Sequence, residues 1–228
     1  MFSSFDPFIN SSFKSSPSLF WASSIVIVIF IHSFFWMSPN NMFWLIISPM
    51  NIMNSQSLRT NSLHFKGFTS IIVSLFMLII SINFMGLLPY SFSLSSHLIF
   101  TLVFGLPLWL SLIMSSLSYN PSSFMAGLLP SGAPDWLNPF LVMVETLSIS
   151  VRPITLSFRL AANMSAGHIV LGLIGIYASS SIFIGLVPFL SLFFIQIIYI
   201  IFEMGICLIQ AYIFCLLLTL YSDDHTTI

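Results

Sequence analysis

The stretch Leu141–Val170, LVMVETLSISVRPITLSFRLAANMSAGHIV, is apolar enough to lie in a membrane, yet it carries Glu145, Arg152, Arg159, Asn163 and His168. Few folds accommodate such a segment. Ionisable groups at bilayer depth are costly, so they face protein or a water-filled cavity and mark an ion path. A helix turns about 100° per residue, so a step of seven returns close to the same face. Glu145, Arg152 and Arg159 are spaced by seven and seven, and Asn163 follows four after Arg159, which makes one polar stripe. His168, nine beyond Arg159, falls on roughly the opposite side, about 13–14 Å further along the axis. The stripe reads as a proton-handling device.

The rest of the chain supports a bilayer setting. Hydrophobic residues make up 57% of the 228 and charged residues 5%, against about 25% charged in a soluble domain. Eleven Asp, Glu, Lys and Arg side chains cannot cover a water-facing surface, which excludes a soluble enzyme. A formal net charge of −1 offers no basic patch and excludes nucleic acid as a partner. Cys207 and Cys215 lie in one apolar run, eight residues apart, too distant on a helix for a disulfide. They fit no zinc spacing and read as packing residues, and no metal or cofactor is expected. The N-terminal MFSSFDPFINSSFK lacks a basic region followed by an apolar run and a cleavage site, so no removable targeting peptide is expected.

Taken in order, the chain predicts an all-α membrane protein, one domain over 1–228, with about five crossings and an interfacial segment. The expected spans are 19–37, 68–89 and 97–118, each near the roughly 20 residues a crossing needs. Residues 41–66 hold Pro49, Arg59 and Lys66 and read as an interfacial connection. The positive-inside rule places it on the matrix or cytoplasmic side. Residues 119–136 read as a loop rich in Pro, Gly and Ser.

Two runs follow, 137–176 and 182–221, each about 60 Å long if helical, roughly twice the hydrocarbon thickness. Each is either two spans with a hidden turn or one long helix. The lack of a Gly-Asn-Asp-Ser cluster inside either favours two long, steeply tilted helices, with Asn138 as N-cap, Pro139 at the first helical position and a link at Tyr177–Ser181. The second run carries Gln196, Glu203 and Gln210 at seven-residue steps, so the hairpin is expected to bring two polar stripes face to face, with Glu203 turned toward the Arg159 helix. No internal repeat is visible, which argues against most secondary transporters.

The stretch RLAANMSAGH, the upstream SVRP, the span ending NFMGLLPY and the pair Glu203…Gln210 resemble subunit a of the F-type ATP synthase in its mitochondrial form. The resemblance runs from about Leu19 to the acidic tail. It implies the stator half of a rotary proton turbine in the mitochondrial inner membrane. Its partners would be a ring of c subunits, other membrane-sector and peripheral-stalk subunits, and lipid. The N-terminus would lie toward the intermembrane space and the C-terminus toward the matrix.

By the resemblance, Arg159 is the essential arginine between two offset aqueous half-channels. His168 and Glu203 stand in the inlet from the intermembrane space, and Glu145 and Asp224 in the outlet to the matrix. Asn163 and Gln210 are polar partners beside the arginine. Gly86 replaces an acidic residue seen in some bacterial relatives. The chain would not be catalytic alone; it would couple proton flow to ATP synthesis made elsewhere in the complex.

The chemistry of the residue types agrees. A guanidinium keeps its proton, so it blocks a relay, and it favours proton release from a rotor carboxylate beside it. Glu and His take and give protons when their surroundings tune them. Other roles stand beside these. Arg152, next to Pro153, has a structural or snorkelling role open to it. Gln196 and Gln210 suit interhelical hydrogen bonds. Asp223 and Asp224 suit a solvated tail. A purely structural membrane-arm subunit, its buried charges only locking helices together, is the alternative class. A self-contained transporter is a third.

Overall fold

Long apolar runs interrupted only by single prolines favour helices, because a bilayer leaves no water to satisfy an open backbone. The computed structural model describes residues 41–60, 65–88, 93–129, 135–183 and 185–223. The expected first span, 19–37, and the site residue Asp224 lie outside the described residues. Six helices follow in order: α1 (Asn41–Ser57), α2 (Phe68–Gly86), α3 (Leu98–Tyr119), α4 (Pro121–Gly127), α5 (Asn138–Ser181) and α6 (Leu186–Asp223). No strand occurs among the described residues. The four helices α2, α3, α5 and α6 are long and apolar enough to cross a membrane.

Several boundaries differ from expectation, each for a local reason. The loop at 119–136 contains α4. Asn120 opens that helix by accepting from Ser123 N at 3.4 Å, and Pro121 takes the first position, where a missing N–H costs nothing. A short 3-10 turn, Asp135–Leu137, feeds directly into α5, so Leu137 sits at the boundary in helical conformation and Asn138 is inside the helix rather than capping it. The hairpin link is not Tyr177–Ser181, because α5 continues through Ser181. The hydroxyls of Ser179, Ser180 and Ser181 donate to the carbonyls of Ile176, Tyr177 and Ala178 at 2.8, 2.9 and 2.7 Å, so the serine run completes the last turn instead of breaking it. Gly185 N then closes on Ser181 O at 3.1 Å, and the chain turns at Ile182 and Phe183.

The same device recurs elsewhere. Ser70, Ser74, Ser81, Ser111, Ser116 and Ser148 each donate to a carbonyl three residues back in the chain. These side chains are satisfied locally and sit in apolar helices without needing a partner helix.

At 44 and 38 residues, α5 and α6 span about 66 and 57 Å, far more than the roughly 30 Å of hydrocarbon. They pack against each other; α3 lies on α5, and α2 lies on α6 with α1 behind it. The shared core joins Met53 of α1, Ile72, Phe76 and Ile79 of α2, Leu156 and Leu160 of α5, and Phe214 and Leu218 of α6. Lipid tails are as apolar as leucine, so close approach rather than water expulsion holds such helices together. Small residues permit that approach. Gly105 of α3 faces Ser157 and Pro153 of α5; a Cβ there would meet Ser157 Oγ at 3.2 Å. Gly86 at the end of α2 faces Met164. Gly67, at φ 80°, holds the left-handed turn that starts α2.

Candidate functional site

The buried stripe of α5 runs Pro153, Ser157, Leu160, Met164, Gly167 at steps of three and four, the helical period. On α6 the matching stripe runs Glu203, Cys207, Ala211, Phe214, Leu218. These two stripes meet. Cys207 Sγ lies 3.6 Å from Met164 Sδ. One turn further, Glu203 reaches the backbone of Gly167, and a Cβ on Gly167 would overlap its carboxylate. Glu203 is therefore turned toward the Arg159 helix.

Glu203 is 2% exposed. Its Oε1 accepts a hydrogen bond from Tyr199 Oη at 2.8 Å, and its Oε2 is buried and accepts none. The lone pairs of that second oxygen remain open inside the helix pair. His168, partly buried, follows Gly167 directly in the chain.

Arg159 does not face α6 in the same way. It lies one position before buried Leu160, about 100° round the helix from that stripe, and it is exposed together with Ala162 and Ala166. Arg159 makes no hydrogen bond or ion pair among the described residues, so it is not locked to Glu203. The expected meeting of two polar stripes is thus corrected: Glu203 meets Gly167, while Arg159 stands on the adjoining outer flank. The stripe Glu145–Arg152–Arg159–Asn163 also divides. Arg152 Nη2 pairs with Glu145 Oε1 at 3.7 Å, and the Arg152 guanidinium sits over the Tyr221 ring, 5.4 Å from its centroid. Arg152 and Tyr221 line a cleft with Trp109, Ser116, Phe124 and Ile149. Asn163 and Gln210 are half-buried and make no hydrogen bond among the described residues.

The arrangement separates two polar sites along α5. The Glu145–Arg152 pair lies beside the C-terminal end of α6. The Glu203 carboxylate lies fifteen residues beyond Arg152, at Gly167, about 22 Å along the axis. Arg159 stands between them, seven residues from Arg152 and eight from Gly167, about 10 and 12 Å.

Three further residues in this region stand out by contact or burial. Tyr199 was detectable as a polar ring four residues before a membrane glutamate, on the same helix face. Gly167 stood in a motif with no contact assigned to it. Asn83 of α2 is fully buried, with neither amide atom partnered among the described residues, beside Ser95, Thr101 and Leu160 at a small cavity. Its only sequence signal is an amide in an apolar span. No cluster of three or more metal-ligating side chains occurs among the described residues.

Comparison with known proteins bears on the same stretch. The family model described as ATP synthase A chain matches residues 18–223. The chain is 36% identical to "ATP synthase F(0) complex subunit a" of Rhopalosiphum padi over 225 residues, 98% of each chain. It is 37% identical to "ATP synthase subunit a" of Locusta migratoria over 228 residues, 98% of this chain and 97% of that one. It is 40% identical to "ATP synthase subunit a" of Drosophila melanogaster over 233 residues, with the same coverage.

Proposed function

Because this chain belongs to the ATP synthase A chain family, we propose that it is the proton-conducting stator subunit of an ATP synthase membrane sector, not catalytic alone, working against a rotating ring of c subunits. The observation that carries the reading is the position of Arg159: exposed, unpaired among the described residues, and midway between two polar sites on one helix. A fixed cation there attracts an ionised ring carboxylate, favours loss of its proton and prevents a proton from passing directly between the two sites. Ala162 and Ala166 on the same flank leave room for a second surface to pass close by.

The path runs as follows. Protons reach His168 and Glu203 by an inlet half-channel open to the intermembrane space. They load a ring carboxylate, travel round with the rotor, and leave through a second half-channel at Glu145 and Asp224 on the matrix side. The proximity of Glu145–Arg152 to Tyr221 supports grouping Glu145 with the C-terminal end, three residues before Asp224. Asn163, one turn from Arg159, and Gln210 supply polar atoms near the cation. Each proton contributes about 2.3 kcal/mol per 100 mV of membrane potential.

The proposed setting is the mitochondrial inner membrane, with the chain as one membrane domain of five crossings. The N-terminus faces the intermembrane space and the C-terminus the matrix. Further partners are the remaining membrane-sector and peripheral-stalk subunits. The test is Arg159→Ala in the intact complex. ATP synthesis and coupled proton flow stop while the complex still assembles on native gels. Loss of assembly with no separate effect on coupling would assign Arg159 to helix packing instead.

A further inference from the structure

We propose that Tyr199 is a positioning residue for Glu203: its hydroxyl pins one carboxylate oxygen and leaves the other as the oxygen that carries the proton. This rests on the reading of Glu203 as an inlet group.

The geometry is specific to this pair. Tyr199 Oη donates to Oε1 at 2.8 Å, whereas Oε2 is buried and has no hydrogen-bond partner among the described residues. The carboxylate is pressed against the Gly167 backbone, so it cannot swing toward α5. Tyr199 itself is partly exposed, and its ring lies 6.3 Å from that of Phe202. It sits one turn nearer the α5–α6 link than Glu203, the end from which the inlet opens in the proposed orientation. A carboxylate with two equivalent oxygens accepts a proton on either. Here the two are made unequal, because Tyr199 Oη occupies Oε1 and leaves the lone pairs of Oε2 open. A proton arriving by water then binds Oε2 and leaves from it, one in and one out.

Among the described residues, other groups able to bias this carboxylate are few. From α5 they are His168, next to Gly167, and Arg159, about 12 Å along the axis. On α6 it is Cys207, one turn on, besides Tyr199. Helices α1 and α2 carry no titratable side chain, and α3 contributes His97 at its start and Tyr119 at its end.

The experiment uses the full ATP synthase in inner-membrane vesicles, driven by an imposed proton gradient while the pH on the inlet side is varied. Tyr199→Phe keeps the ring and removes the hydroxyl; Tyr199→Leu removes both. The carboxylate then loses the donor that distinguishes its two oxygens. The inlet-pH profile of synthesis is therefore displaced in both variants relative to the unaltered complex. Glu203→Gln separates the two layers of the argument. If it leaves coupling intact, the inlet role of Glu203 fails, and the role of Tyr199 with it. If it abolishes coupling while both Tyr199 variants keep the unaltered pH profile, only the positioning role is overturned. Failure of both Tyr199 variants to assemble assigns the ring to packing and also overturns it.

Discussion

The carboxylate of Glu203 occupies the space that a side chain at Gly167 would fill. Two helices are brought within contact because one residue has no Cβ, and the group received there is an acid 2% exposed. The site is thus a property of a pair of positions, one on each arm of the hairpin.

The first prediction is Gly167→Ala. The added methyl overlaps Glu203 and must displace the carboxylate or part the helices, at about 1–3 kcal/mol. ATP-driven proton pumping in membrane vesicles falls at least about tenfold for a displacement worth about 1.4 kcal/mol. Gly172→Ala, where a Cβ meets nothing within 4 Å, is the comparison. Equal pumping in the two variants would place the working carboxylate elsewhere.

The second is Arg159→Lys. Charge is retained, but a lysine loses its proton on burial far more readily than a guanidinium and lacks the planar fork that engages a carboxylate. Coupled synthesis is lost in this variant too. A lysine complex with unaltered coupling would show that position and charge alone suffice.

The third concerns the Glu145–Arg152 pair. At 3.7 Å, with side chains 41% and 35% exposed, it is worth only about 0.2–1 kcal/mol of stability. Arg152→Leu therefore leaves the midpoint of thermal disassembly nearly unchanged. Glu145→Gln, which removes a proton carrier while keeping shape, lowers coupled flow much further than Arg152→Leu does. The reverse ranking would make Arg152 the functional member.

The fourth tests the α3–α5 contact. Gly105→Leu drives a branched side chain into Ser157, Pro153 and Leu156. Overpacking of this kind costs about 1–3 kcal/mol. It is read as lower yield of intact complex on native gels, with Gly105→Ala intermediate, since its Cβ meets only Ser157 Oγ closely, at 3.2 Å. Unchanged yield of the leucine variant would mean that α3 is free to move away.

Much of this was legible beforehand because membranes restrict structure to hydropathy and period. The long final hairpin follows from two apolar runs with no turn between their ends. Glu203 facing the other arm follows from the cost of a carboxylate in lipid. What one dimension concealed was the phase between helices. The seven-residue steps that placed Glu145, Arg152 and Arg159 together were sound as geometry on one helix, yet Arg152 turned to Glu145 and Tyr221, and Arg159 faced outward. Which flank meets α6 is decided by where Gly167 allows approach, as Ser157 sits at the α3 contact, and small residues give no signal in a hydropathy profile. The serine run at 179–181 misled for a related reason: serine is common in turns, but in apolar surroundings its hydroxyl bonds its own helix and prolongs it.

That habit of the serines has a wider effect. A hydroxyl committed to the carbonyl of its own turn cannot reorient to hand a hydrogen ion to its neighbour, so a wall studded with such side chains behaves as insulation rather than as wire. Hydroxyls tied off in this way let serines sit in apolar helices at little cost, which is why a chain this apolar tolerates so many of them.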